Sequence, residues 1–93
     1  MNKGAFNILI AAANIVDGNA RGNPENSFVP IAAMWNAYLG AKFQDQQFKL
    51  SEEDVAWMMV LLKVARATTK YSRDNSVDAA GYAAIAGALG NDD

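Results

Sequence analysis

Apolar residues recur every three or four positions along most of this chain, which is the spacing of amphipathic helices. The first predicted helix covers residues 4–17. A second helix is expected to start at residues 23–25, where asparagine can act as the N-cap, proline suits the first helical position and glutamate is an acid in the first turn. Because Pro30 lies inside the second helix, we expect a kink there or a restart with Pro30 in a new first turn. Gly40 is expected to end this helix.

The most apolar stretch of the chain is SEEDVAWMMVLLKVAR, at residues 51–66. Ser51 and Asp54 have the spacing of a capping box, and no polar residue occurs between Val55 and Leu62. A helix that is apolar on all sides must be covered by other elements or by other subunits. The sequence therefore predicts a central helix at about 52–71.

A fourth helix is predicted after a loop at residues 72–75, with Asn75 as its cap and alanine and glycine as its main residues. Ala80, Ala84 and Ala88 fall on one stripe, which allows another helix backbone to approach closely. The pattern as a whole predicts an all-α, four-helix fold in a single domain over residues 1–93.

Composition narrows the range of functions. Hydrophobic residues make up 52% of the chain and charged residues only 19%, which favours a homo-oligomer over a tight monomeric bundle. Because the chain has no cysteine and no histidine, it cannot use a thiolate as nucleophile or metal ligand, or an imidazole as general base or metal ligand. A net charge of −2 without a basic run argues against duplex nucleic acid, and no segment is typical of a membrane span or a leader. We therefore expect a cytoplasmic protein.

Several polar and aromatic residues are candidates for binding a nucleotide without turnover. Cations would neutralise its phosphates, aromatic rings would stack on its base, and side-chain amides would bond to the base edges. The alternative is that Lys63 and Arg66 pair with Asp74 and Asp78 across the turn between the last two helices. The ligand-binding candidates are Arg21, Lys63 and Arg66 for phosphates, with Arg73 as a further cation, Phe28, Trp35 and Tyr82 for the base, and Asn23, Asn26 and Asn36 for its edges.

Four segments, RGNPENSF, IAAMW, SEEDVAWMMVLLKVAR and DNSVDAAGYAAIAG, together resemble an uncharacterised family of small helical bacteriophage proteins. Members of that family have Tyr-Gly-Asp-Pro, Asp-Val-Ala-x-Met-Met and Asp-x-x-Gly-Tyr-Ala elements. The resemblance extends from Ile8 to Leu89 and implies no established activity. Arg21 and Asn23 depart from the family pattern, because they stand where it has tyrosine and aspartate.

In size and helical layout the chain is also similar to the MazG-type nucleoside triphosphate pyrophosphohydrolases. Those enzymes hold Mg²⁺ with carboxylates from two helices, typically in Glu-x-x-Glu and Glu-x-x-Asp pairs. This chain has no Glu-x-x-Glu pair, and its nearest set is Asp54, Asp74 and Asp78. Asp54 and Asp78 have the alternative role of first-turn acids.

A third hypothesis is an accessory protein that binds a host protein. Its contact residues would be those bulky apolar side chains that the fold leaves exposed, from the set Met34, Trp35, Trp57, Met58 and Met59. The leading prediction is nucleotide binding without a cofactor. Magnesium would be required only by the pyrophosphohydrolase alternative.

Overall fold

The structure is a computed structural model that describes residues 2–16 and 27–91. Within these two ranges the chain forms four helices and no strand, which confirms the all-α prediction. None of these helices is both long and apolar enough to cross a membrane. The helices are α1 (Lys3–Val16), α2 (Phe28–Lys42), α3 (Glu52–Ala67) and α4 (Arg73–Asn91).

Short-range hydrogen bonds fix where α1 and α3 begin. Asn2 Oδ1 accepts from the amides of Gly4 and Ala5, at 2.8 and 3.2 Å. At α3 the predicted capping box is confirmed: Ser51 Oγ accepts from the Asp54 amide at 3.1 Å, and Asp54 Oδ2 accepts from the Ser51 amide at 2.8 Å. These four bonds satisfy amides that have no partner inside a helix.

Helix α2 differs from its prediction at its carboxyl end. It has Pro30 in its first turn, as the restart alternative requires, while the expected start at 23–25 lies outside the described residues. Gly40 does not end the helix, which continues to Lys42, and the Phe43 amide donates to the Leu39 carbonyl. Gly40 therefore lies inside α2, where a glycine is tolerated although it weakens the helix.

The turn between α3 and α4 lies earlier in the chain than predicted. Helix α3 ends at Ala67 rather than near residue 71, and the hydroxyls of Thr68 and Thr69 donate back to the carbonyls of Ala65 and Arg66. Such bonds compete with continuation of the helix. Helix α4 begins at Arg73, which puts Asn75 inside its first turn instead of at the predicted cap position.

Helices α3 and α4 form an antiparallel hairpin with the most extensive interface of the fold. Lys63 meets Asp78 near the turn, and at the other end a Cβ on Gly90 would lie 3.1 Å from a carboxylate oxygen of Glu53. Helix α1 packs against α4, where Gly81 faces Val16, and α2 packs against α3. The buried core joins α2, α3 and α4 through Phe28, Ala32, Val55, Ala56, Ile85 and Ala86.

The expected covering of α3 on every side is not provided by the described part of the chain. Val55 and Ala56 are fully buried, but Trp57 is 45% exposed and Leu61 is 65% exposed. The radius of gyration is 14.9 Å, against about 12 Å for a compact domain of this length. One face of α3 therefore lies open to solvent in the isolated chain.

Candidate functional site

An ion pair joins the two helices of the hairpin close to their turn. Lys63 Nζ lies 3.2 Å from Asp78 Oδ2, and the two side chains are only 13% and 10% exposed. This confirms one of the interhelical pairs expected from the sequence. The pair also neutralises Lys63, so this residue is not an unpaired cation available to a ligand.

A charged cleft opens beside this ion pair on one side of the hairpin. Its volume is about 450 Å³, and it lies between the last turns of α3, the connecting turn and the first turns of α4. Its walls carry cations, carboxylates and hydroxyls, and no aromatic ring. The lining residues are Lys63, Arg66, Thr69, Lys70, Ser72, Asp74, Asn75 and Asp78.

Two cations of the charged cleft are available for a ligand. Arg66 and Lys70 are exposed, and neither has an ion pair within residues 2–16 and 27–91. The predicted alternative that Arg66 pairs with Asp74 is therefore not seen in this part of the chain. An exposed guanidinium and an exposed ammonium on one wall are the usual partners of phosphate oxygens.

Asn75 is the buried polar residue at the floor of the cleft. It is only 9% exposed, and its backbone amide donates to the Ser72 carbonyl at 3.1 Å. No hydrogen bond to its side-chain amide is found in the described ranges. A buried amide without a partner costs about 1–3 kcal/mol, so such a group is typical of a site that completes its hydrogen bonds with water or a ligand.

A second, apolar depression adjoins the charged cleft near the turn of the hairpin. Its volume is about 250 Å³, and it shares Lys63, Ser72 and Asn75 with the charged cleft. Residues 74 and 78 line only the charged cleft, whereas residues 76 and 79 line only the depression. The remaining lining residues of the depression are Val64, Ala67, Tyr71, Ser76 and Ala79.

The aromatic residues predicted to stack on a base lie in the core instead. Phe28 is 2% exposed, and its ring centroid lies 6.2 Å from that of Tyr82. Trp35 is partly buried against the same core cluster. None of the three lines the charged cleft, so their spacing reflects packing within the fold.

Asn36 has a structural role away from the charged cleft. Its Oδ1 accepts from the Leu50 amide at 2.8 Å, and its Nδ2 donates to the Leu50 carbonyl at 3.1 Å. These two bonds tie α2 to the segment that leads into α3. The other predicted members of the binding set, Arg21, Asn23 and Asn26, lie outside the described residues.

The carboxylates proposed for the magnesium alternative do not converge. Asp54 is in the capping box at the start of α3, about nine residues or roughly 14 Å along the helix from Lys63, whereas Asp74 and Asp78 line the charged cleft. Among the described residues no group of three or more histidine, cysteine, aspartate or glutamate residues is placed to hold a metal ion.

Comparison with known proteins places the chain in a family. Residues 7–90 match the model of a "Domain of unknown function (DUF6378)". The chain belongs to this family. It is also 38% identical over 85 residues to the Gene 55 protein of Mycobacterium phage L5, and 36% identical over 80 residues to the Gene 55 protein of Mycobacterium phage D29. These findings confirm the predicted resemblance to an uncharacterised family with bacteriophage members, while the similarity to MazG-type enzymes stays a prediction.

The extent of these matches limits what they imply. The alignments cover 86% and 82% of this chain but 50% and 48% of the two phage proteins, so the chain spans about half the length of those relatives. No solved structure matches the chain. The family therefore supplies no activity, and the function must be inferred from the site itself.

Sequence reasoning missed half of the charged cleft. Lys70, Thr69 and Ser72 lie in the turn because α3 ends earlier than predicted, and the buried amide of Asn75 follows from the earlier start of α4. The run Arg66-Ala-Thr-Thr-Lys70 offered a signal, since two neighbouring β-branched residues with hydroxyls disfavour helix continuation.

Proposed function

We propose that this chain binds a nucleotide, or a signal molecule built from nucleotides, in the charged cleft and releases it unchanged. The observation that carries the proposal is that Arg66, Lys70 and the buried side-chain amide of Asn75 line one cleft and have no partner among the described residues. Ligand pockets of small molecules have volumes of about 300–1,000 Å³, and this cleft, at about 450 Å³, lies in that range.

The cations and hydroxyls account for the phosphate part of the ligand. Arg66 offers a planar guanidinium that can hold two phosphate oxygens at once, and Lys70 adds a second positive charge. Thr69 and Ser72 add hydroxyl donors, although the Thr69 hydroxyl already donates to the Arg66 carbonyl. This set suits a phosphate group that remains partly in water.

The carboxylates argue for a nucleotide rather than for inorganic phosphate. Asp74 lies in the same cleft, has no ion pair in the described part of the chain and would repel a bare anion, whereas the charge of Asp78 is compensated by Lys63. A nucleotide also carries ribose hydroxyls and base amino groups, which donate hydrogen bonds to carboxylates. A ligand with an anionic part and a donor-rich part therefore fits the cleft better than a simple anion.

Binding without turnover rests on the groups that the cleft provides. Its described walls hold two carboxylates, Asp74 and Asp78, and Asp78 is engaged with Lys63. Among the described residues no third carboxylate joins them to form a group that could hold a metal ion. The pyrophosphohydrolase alternative makes a different prediction, namely conversion of a nucleoside triphosphate to its monophosphate in the presence of Mg²⁺.

The bacteriophage relatives give this binding a context. A protein that holds a nucleotide signal without converting it lowers the free concentration of that signal in proportion to its own abundance. We therefore propose that the chain sequesters a nucleotide signal of the host's defence, in the cytoplasm of the infected cell. The excess of exposed apolar residues supports the further proposal that it does so as a homo-oligomer.

The test is a thermal-shift screen of the purified protein with ATP, GTP, AMP, cyclic dinucleotides, cyclic trinucleotides and inorganic phosphate, with and without Mg²⁺. A ligand at a hundredfold excess over its Kd stabilises the folded state by about 2.7 kcal/mol. We expect a nucleotide to raise the melting temperature more than phosphate does, and chromatography to recover it unchanged. If Mg²⁺ yields the monophosphate, the pyrophosphohydrolase is correct instead.

Two arginine variants provide the matched control. Arg66→Ala removes a cation of the charged cleft and should abolish the shift in melting temperature. Arg73→Ala removes an exposed cation that lines neither the charged cleft nor the apolar depression, and the shift should remain. If no probe shifts the wild-type protein, the proposal is overturned. Equal losses in the two variants would show that net charge, and not this cleft, attracts the ligand.

A further inference from the structure

Tyr71 is the most exposed of the large apolar and aromatic side chains that the structure describes. It lies in the turn between α3 and α4, it is 83% exposed, and it lines the apolar depression. Within residues 2–16 and 27–91 its ring has no aromatic contact and its hydroxyl has no hydrogen bond. An aromatic ring that takes no part in the core is available to stack on a flat ligand.

The apolar depression and the charged cleft meet along this turn. Lys70 lines the charged cleft, Tyr71 lines the depression, and Ser72 lines both. Consecutive Cα atoms are about 3.8 Å apart, so neighbouring positions of the backbone supply the cation and the ring. Lys63 and Asn75 also line both. A ligand whose phosphate lies in the charged cleft can therefore extend into the apolar depression.

Asn75 is the polar group at the boundary between the charged cleft and the apolar depression. It is buried, and its side-chain amide has no hydrogen-bond partner among the described residues. The amide has one acceptor oxygen and two N–H donors, and the edge of a nucleobase presents donors and acceptors side by side. A base that enters the depression would thus complete the hydrogen bonds of Asn75.

We propose that the apolar depression is the base subsite of the nucleotide site, with Tyr71 stacked on the face of the base and Asn75 bonded to its edge. This inference rests on the proposed function, which assigns the phosphates to the charged cleft. Val64, Ala67 and Ala79 supply apolar contacts for the base. The depression, at about 250 Å³, is smaller than the usual pocket for a whole ligand, as expected of a subsite for one ring system.

AMP and ribose 5-phosphate are the matched probes, because they share the phosphate and the ribose and differ in the base. We expect titrations followed by NMR to give a Kd for AMP at least tenfold below that for ribose 5-phosphate. Tyr71→Ala should raise the Kd of AMP by roughly 5- to 100-fold, which is the effect of losing one base stack, and should leave that of ribose 5-phosphate unchanged. Tyr71→Phe keeps the ring and should bind AMP as the natural chain does.

Tyr38→Ala is the control variant, because Tyr38 is 64% exposed on α2 and lines neither the charged cleft nor the apolar depression. Circular dichroism checks that each variant is folded. If AMP and ribose 5-phosphate bind equally well, the base subsite is overturned while the charged cleft keeps its phosphate role. The same conclusion follows if Tyr71→Ala weakens AMP no more than Tyr38→Ala does.

Adenosine separates this inference from the proposed function, because it has the base without the phosphate. In a ¹⁵N-labelled sample, adenosine should shift the side-chain amide signals of Asn75. If it does so and AMP binds no more tightly than adenosine, the base subsite is upheld and the proposed function, which needs the phosphate contacts, is overturned. If neither adenosine nor AMP binds, both are overturned.

Discussion

Lys63 and Asp78 hold the ends of α3 and α4 together through a contact of 3.2 Å that is largely withdrawn from water. Because both side chains are poorly exposed, replacing either one by a neutral residue would leave the other charge without its partner and poorly solvated. The pair therefore forms one edge of the charged cleft, beside Arg66 and Lys70, which have no ion pair in the described part of the chain.

Lys63→Met should lower the free energy of unfolding by up to about 3 kcal/mol, since it leaves the Asp78 carboxylate without this counter-charge. Urea denaturation followed by circular dichroism, at one fixed protein concentration, measures the change. Lys70→Met is the matched control: Lys70 is exposed and has no ion pair in the described part of the chain, so a change within about 0.5 kcal/mol is expected. Equal effects of the two substitutions would contradict a structural role for the pair.

Asn75→Leu should affect stability and binding in opposite directions. The variant replaces a buried amide that has no partner in the described ranges by an apolar side chain of similar size, which should raise the free energy of unfolding by about 1 kcal/mol. The same change should weaken binding of whichever nucleotide the screen identifies. A destabilised variant would show that the amide is hydrogen-bonded in the free protein.

Ser51→Ala should lower the free energy of unfolding by about 1 kcal/mol, because it removes the side-chain half of the capping box of α3. Thermal and urea denaturation both report this change. Ser76→Ala, in an exposed position inside α4, is the control and should be neutral or slightly stabilising. If Ser51→Ala is neutral as well, the cap bond is too exposed to contribute.

Gly40→Ala should raise the free energy of unfolding by up to about 1 kcal/mol. Gly40 lies inside α2 outside the left-handed region, and no atom within 4 Å would obstruct a Cβ there. Gly81→Ala should gain at least as much, because its Cβ would make an ordinary van der Waals contact with Val16 at 3.5 Å. A loss of stability in Gly40→Ala, measured by urea denaturation, would mean that α2 ends at this glycine after all.

Local signals in the sequence were good predictors of this fold. The Ser51 and Asp54 pair marks the start of α3 because a capping box involves only residues three positions apart. Gly40 was misleading, since a glycine after an apolar stripe also occurs inside helices when neighbouring contacts compensate for its flexibility. The early end of α3 depends on the bonds of two threonine hydroxyls, which the apolar pattern does not report.

The candidate site was predicted in part. Opposite charges on neighbouring helices indicated the contact of Lys63 with Asp78, but the pattern could not say which of the two cations would remain unpaired. The aromatic residues of the predicted set lie away from the charged cleft. Phe28 and Tyr82 have the same residue types in a core as in a stacking site, and only the three-dimensional arrangement separates the two roles.

The lining residues of the charged cleft all come from one α3–α4 hairpin, which has a consequence for stoichiometry. A ligand in this cleft would be held by the residues of a single chain. Each chain would then take up one ligand on its own, with a Hill coefficient of about 1. The capacity to remove a signal would thus scale with the number of chains, whatever their state of assembly.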